Sequence, residues 1–277
     1  MKAEYTLVFL TLFVRLGTGL ILVHLLASLW TPLLPDPIVA LIALVVTGLG
    51  LGLSLLHLGK PGRLLNSFNN RKSMVTWEAI ISVPLMAALT ALAYFSYQAP
   101  GSTGVLAAKL ATAVLSVAFI FITANVYYLR ARPAWTTPLV LYEYFVSTAC
   151  LGVLGFGAVA VFLQRMTVQI ASVLALVLLP LLIAEAIITY AYRARAIRVN
   201  PTAAKALLAK PTRGIYRWFV AVGVLLPIAC VAVSLLGREV AVNMLVALAS
   251  YSVGAICWRV LFFNSATVIK ITPDIVG

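Results

Sequence analysis

Residues His57–Glu78 read HLGKPGRLLNSFNNRKSMVTWE, and long apolar runs flank them on both sides. The stretch holds a histidine, a Gly-Lys-Pro turn, the basic residues Lys60, Arg63, Arg71 and Lys72, three asparagines and a carboxylate. The flanks decide the fold. Each carries about 20 apolar residues, enough for a helix to cross roughly 30 Å of hydrocarbon. The polar stretch between them marks one surface of a membrane.

Composition agrees along all 277 residues, of which 63% are hydrophobic and only 10% charged, with a mean hydropathy of +1.09. A soluble domain of this size cannot bury so much apolar surface, so the class is a polytopic membrane protein. Eight spans follow, at about 6–29, 38–57, 77–97, 104–128, 139–163, 170–192, 214–236 and 239–263. Turn-forming text separates them: TPLLPDP after the first, QAPGST after the third, RPAWTTP after the fourth. Lipid leaves every backbone polar group to be satisfied within its own segment, and no alternating strands suggest a barrel. The predicted fold is therefore all-α: a single transmembrane domain over 1–277, eight helices in a bundle, arranged as two four-helix halves.

The formal charge is +13, from 20 Lys/Arg against 7 Asp/Glu. The basic residues fall in the short gaps, which speaks for topology and against nucleic acid. With eight spans, 15 Lys/Arg lie on the side of both termini and of the His57–Glu78 stretch, and only Lys109, Arg165 and Arg238 lie on the other. The positive-inside rule places the termini and that stretch in the cytoplasm. MKAEYTLVFL has no signal-peptide pattern and reads as a retained first span. Asn200-Pro201 is a fitting cap and first position for a short interfacial helix, TAAKALLAK.

Several polar groups need an explanation inside the apolar spans. Arg15, Glu185 and Arg259 are deep, and each charge costs about 2.5–3.5 kcal/mol at mid-membrane unless it faces the bundle interior or a partner. Glu185 is expected to pair with Arg15 or Arg259, with a proton path as the alternative role. Cys150, Cys230 and Cys257 sit in apolar runs without CxxC spacing and read as small core residues, not as metal ligands or a disulfide. Gly48, Gly50 and Gly52 lie inside a span and suggest close helix approach, not nucleotide binding.

His57 and Glu78 stand where spans meet the basic side. Imidazole can hydrogen-bond a quinone carbonyl and deliver a proton near neutral pH. A carboxylate at the next helix start can orient it or relay the proton, with Lys60 and Arg63 nearby. The bland alternative is a helix cap and a dipole partner. Aromatic residues gather on the same side: Tyr127, Tyr128, Trp135, Tyr142, Tyr144 and Trp77. An interfacial belt accounts for most of them, while a few can line a flat-ring pocket beside Glu143 and Asn125. Haem is not expected. Only His24 and His57 are present, and about 1.5 Å per residue places them near opposite faces.

HLGKPGRLLNSFNN, followed by the carboxylate Glu78, resembles the membrane anchor subunit of dimethyl sulfoxide reductase-type molybdoenzymes, the DmsC family. NVYYLRARPAWTTPLVLYEYF, EYTLVFLTLF and CWRVLFF resemble further blocks of that family, collinear over nearly the whole chain. The resemblance implies a haem-free integral subunit holding an iron–sulfur electron-transfer subunit and a molybdopterin catalytic subunit on the lipid bilayer of a prokaryotic inner membrane. It would not perform the molybdenum reaction but would exchange electrons with menaquinone or ubiquinone. The family's quinol-linked histidine and carboxylate match His57 and Glu78. Arg15 departs from the pattern, which would carry an uncharged polar residue there. The expected quinone-binding set is His57, Arg63, Glu78, Tyr127 and Trp135, with His57 and Glu78 moving protons. A cytoplasmic active edge favours a sulfite dehydrogenase anchor over the quinol-oxidising anchor of a respiratory reductase. Two further classes stand against these: a secondary transporter, whose polar site would lie at the midplane, and a purely structural anchor.

Overall fold

A computed structural model describes residues 5–30, 33–57, 73–129 and 132–266, with side chains throughout except at 54–57. Among these residues every regular element is a helix. The chain runs through α1 (Tyr5–Ala27), α2 (Asp36–His57), α3 (Met74–Gln98), α4 (Thr103–Val126), α5 (Leu139–Phe162) and α6 (Val168–Val199). Two short helices follow, α7 (Pro201–Leu208) and α8 (Lys210–Trp218), then a π-helical segment (Phe219–Leu225), α9 (Leu226–Leu235) and α10 (Val240–Asn264). Eight stretches are long and apolar enough to cross a membrane, the seventh being the continuous run Lys210–Leu235.

The observed spans lie within a few residues of those expected, with one exception. α6 continues past residue 192 to Val199, carrying Arg193, Arg195 and Arg198 out of the apolar zone. Nothing in RARAIRV breaks a helix; the stop comes at Asn200-Pro201. The Asn200 side chain accepts hydrogen bonds from Thr202 N and Ala203 N, at 3.0 and 3.2 Å, and so starts the expected interfacial helix α7.

α5 occupies the centre. Its apolar window is 72% buried, against 28% for α2, α3 and α10. It packs against α1, α6 and α10, while α1 also packs against α2, so the contact of α1 with α5 joins the first four spans to the last four. Small residues allow this: a Cβ on Gly19 of α1 or on Gly152 of α5 would overlap the other helix's backbone. Gly223 and Gly254 make the same kind of contact between the π segment and α10. Within α2 the glycines differ. Gly50 lies against Val14, Gly48 meets the Met86 side chain, and a Cβ on Gly52 would meet nothing within 4 Å.

Two apolar clusters fill the interior. One is largely aliphatic and reaches from the middle of the helices to the α1–α2 connection, including Leu20, Leu34, Leu89, Leu151 and Leu178. The other is aromatic and lies towards the side where α2 ends and α3 begins, including Tyr127, Trp135, Tyr144, Trp258 and Phe262. Along α5 and α10 the ionic residues described next lie within the aromatic cluster: Glu143 between Val140 and Tyr144, and Arg259 between Trp258 and Leu261.

Candidate functional site

Glu78 is one turn into α3 and Thr123 is in the last turn of α4. These helices pack side by side, and Thr123 Oγ1 donates to Glu78 Oε1 at 2.9 Å. Glu78 Oε2 makes no hydrogen bond to a described residue. Behind the pair is a small, partly enclosed cavity of about 10 Å3, whose wall includes Val14, Arg15, Glu78, Phe119, Thr123 and Tyr144. That is room for at most about one water, and the surface that meets it is almost wholly apolar. Glu78 thus lines this cavity near the start of α3, at the end of the bundle where α2 ends.

Across the cavity is a buried ionic cluster. Arg15 is 4% exposed, Glu143 2% and Arg259 1%. Arg15 Nη1 donates to Glu143 Oε1 at 2.9 Å and to Ser147 Oγ at 2.5 Å, while Nη2 reaches Glu143 Oε2 at 3.2 Å. Arg259 Nη2 donates to the same Oε2 at 2.6 Å. Tyr144 supplies a π face to both cations, with Arg15 Cζ 3.6 Å and Arg259 Cζ 4.2 Å from its ring centre. One carboxylate thus serves two guanidinium groups.

This corrects the expected pairing. Glu185 meets neither arginine in an ion pair. It is buried in α6, close enough to interact electrostatically with Arg15 and Glu143, and its Oε2 has no hydrogen-bond partner. α5 runs between α1 and α10, so the carboxylate on α5 reaches both arginines first. Glu143 is therefore not a polar neighbour of an aromatic ring pocket. Asn125 does not join it either, because its Nδ2 donates back to Phe121 O at 2.7 Å on its own helix.

The other expected site residues separate into groups. Tyr127 and Trp135 are 7% and 2% exposed and pack edge to face, ring centres 5.3 Å apart. Tyr127 stacks on Tyr144, while Trp135 stacks on Phe262 and donates Nε1 to Phe262 O at 3.2 Å. Both belong to the aromatic cluster, one layer from Glu78, and neither is on the cavity wall. Trp77, Tyr128 and Tyr142 are exposed, as an interfacial belt requires. Arg63 lies outside the described residues, as do Lys60 and the side chain of His57; the backbone of α2 ends at His57, beside the approach to α3. Sequence reasoning missed Thr123 and Ser147, and read Tyr144 only as one of the aromatic residues on the basic side. The available signal was the small-residue run STACLGVLGFGA of α5, which marks a helix packed on several sides.

His24 is engaged at the other face. Its Nε2 lies 2.7 Å from Asp36 Oδ1, and Asp36 Oδ2 accepts from Lys109 Nζ at 2.8 Å. Asp36 and His57 are the two ends of α2, about 30 Å apart at 1.5 Å per residue. Among the described residues no group of three or more metal-ligating side chains converges.

An all-helical bundle of eight apolar spans, with its charges paired internally and its aromatic belt at one edge, is an integral membrane subunit. The family model of the DMSO reductase anchor subunit (DmsC) matches residues 1–264, and the chain belongs to that family. Its role is that of a membrane anchor for a DMSO reductase-type complex, with association to catalytic and iron–sulfur subunits. Among curated proteins no sequence matches the chain.

Proposed function

We propose that this anchor is the quinone-reactive subunit of its complex, exchanging electrons between a partner's iron–sulfur cluster and menaquinone or ubiquinone at the edge formed by the end of α2 and the start of α3. The observation that carries this reading is the placement of Glu78. Its Oε1 is held by Thr123, its Oε2 is uncommitted among the described residues, and it shares the wall of a small cavity with Arg15 and Tyr144. The inner cavity is too small for a quinone ring, so the ring belongs outside it, at the edge where α2 ends and α3 begins. A bound quinone supplies two-electron, two-proton chemistry. Glu78 accepts or returns a proton at Oε2 while Thr123 keeps the carboxylate oriented. His57 hydrogen-bonds a carbonyl oxygen and passes its proton, Arg63 biases the local potential, and Tyr127 and Trp135 stiffen the wall behind. The haem-free reading rests on the distance between the two histidines; iron–sulfur clusters and molybdopterin belong to partner subunits.

The charge asymmetry supports a cytoplasmic active edge, with both termini on that side of a prokaryotic inner membrane, and thus a sulfite dehydrogenase delivering electrons to quinone. A quinol-oxidising anchor for an exported reductase needs the same edge outside. A Ser67→Cys variant probed with a membrane-impermeant thiol reagent on intact cells separates them: labelling refutes the cytoplasmic placement. The main test compares quinone-linked with artificial-acceptor turnover in membranes carrying the whole complex. Glu78→Gln and His57→Ala are expected to lose the first and keep the second with partner subunits still attached. Survival of both activities would reduce the chain to a tether.

A further inference from the structure

The face opposite the His57–Ser73 edge is poor in charge, with Lys109, Arg165 and Arg238 as its Lys/Arg residues. Two of these three line a single open pocket of about 440 Å3, where the α1–α2 connection meets the end of α3 and the start of α4. Asp36 is in the same wall, yet both of its oxygens are taken: Oδ1 by His24 and Oδ2 by Lys109. It therefore fixes the Lys109 ammonium in place instead of repelling an incoming anion. An ammonium has three donors, so Lys109 keeps two for a ligand. Arg165, in the bend after α5, is exposed and makes no ion pair with a described residue. Ser96 also lines the pocket; it is 6% exposed and its hydroxyl has no hydrogen-bond partner.

Asp36 and Lys109 cancel, so Arg165 leaves the pocket positive. Trp30 and Tyr97, 80% and 75% exposed, border this face at the level where aromatic side chains meet lipid headgroups. An anion arriving at that depth is most abundantly a lipid phosphate. From these placements we infer that the pocket binds the phosphate of an anionic phospholipid headgroup. Lys109 and Arg165 donate to its non-bridging oxygens and the Ser96 hydroxyl completes the contact. The acyl chains then lie against the apolar flank of the bundle. This site is independent of the quinone edge and stands or falls without it.

The test uses the full chain purified in detergent and native mass spectrometry, with phosphatidylglycerol and phosphatidylcholine supplied in equal amounts. The wild-type chain is expected to retain phosphatidylglycerol preferentially. Arg165→Ala, an exposed change that leaves packing alone, lowers that retention about tenfold, the loss of one charge-assisted contact. Lys109→Ala with Arg165→Ala removes the preference, while Arg238→Ala, on the same face but outside the pocket, leaves it intact. Inorganic phosphate that displaces the lipid supports recognition of the phosphate group itself. Three results overturn the assignment: equal retention of both lipids by the wild type, an Arg238→Ala effect as large as that of Arg165→Ala, or inorganic phosphate binding without any retained phosphatidylglycerol.

Discussion

Glu143→Gln keeps the size of the side chain and one acceptor oxygen, but removes the charge that two buried arginines share. The guanidinium carbons lie 3.6 and 4.2 Å from the Tyr144 ring centre, so they are at most about 8 Å apart and repel by at least about 2 kcal/mol at an effective dielectric near 20. The lost attraction adds to this, since Glu143 contacts the two cations at 2.9 and 2.6 Å. Breaking a buried pair from one side usually costs about 3–5 kcal/mol, because the remaining charge is left buried without compensation. Thermal unfolding in detergent can be followed with a thiol-reactive dye. Cys150 and Cys230 are buried and become reactive only on unfolding, and a Cys257→Ala background removes the half-buried thiol. The midpoint should fall by about 10 °C on the scale that soluble domains show per kcal/mol. The variant Arg15→Met, Glu143→Leu, Arg259→Met should recover most of that loss, as apolar replacement of a whole buried ionic group often does. A Glu143→Gln midpoint equal to wild type, or a triple variant less stable than the single one, would refute the reasoning.

Thr123→Val removes the 2.9 Å hydrogen bond to Glu78, worth about 1 kcal/mol; quinone-linked turnover should drop about fivefold while artificial-acceptor turnover is unchanged, and an equal loss of both would contradict the assigned role. Gly19→Leu and Gly152→Leu each drive a side chain into the facing backbone, so neither variant should give a monodisperse protein in detergent, whereas Gly52→Leu should behave as wild type. Asn200→Ala removes the cap of α7 at a cost of about 1 kcal/mol, seen as faster hydrogen exchange across 201–208 with the transmembrane segments unaffected.

Hydropathy and punctuation were enough to locate the helices, because in lipid the length and apolar character of a segment nearly determine its structure. Which helix sits in the middle was not legible in that way. Lipid-facing and helix-facing positions are equally apolar, so no amphipathic stripe separates α5 from α2. The misassigned partner of the arginines follows from this. Glu143 is near the start of a span, among tyrosines, and has the sequence appearance of an interface residue; only the central position of α5 turns it inward. Arg15 and Arg259 were legible as charges in need of an anion, since their cost is set by depth alone. The His24–Asp36–Lys109 group was visible only as a lone histidine in the last turn of α1. Its partners are 12 and 85 residues further on, and no local pattern ties them together. The π segment was equally silent, because FVAVGVL is apolar without a break; the cue was Gly223, whose contact with Gly254 needs the backbone brought close.

The Arg15–Glu143–Arg259 cluster also has a history during biosynthesis. Arg15 and Glu143 are separated by 128 residues, and Glu143 and Arg259 by 116. At translation rates of about 5–20 residues per second, α1 waits on the order of ten seconds in the bilayer before the carboxylate exists, and Arg259 arrives about as long after that. The first helix must therefore insert with a lone cation, tolerated through its own leucines, valines and phenylalanines. A nascent chain arrested before residue 143 carries an unneutralised arginine in lipid, a mark by which a membrane quality-control protease can tell an unfinished subunit from a completed one.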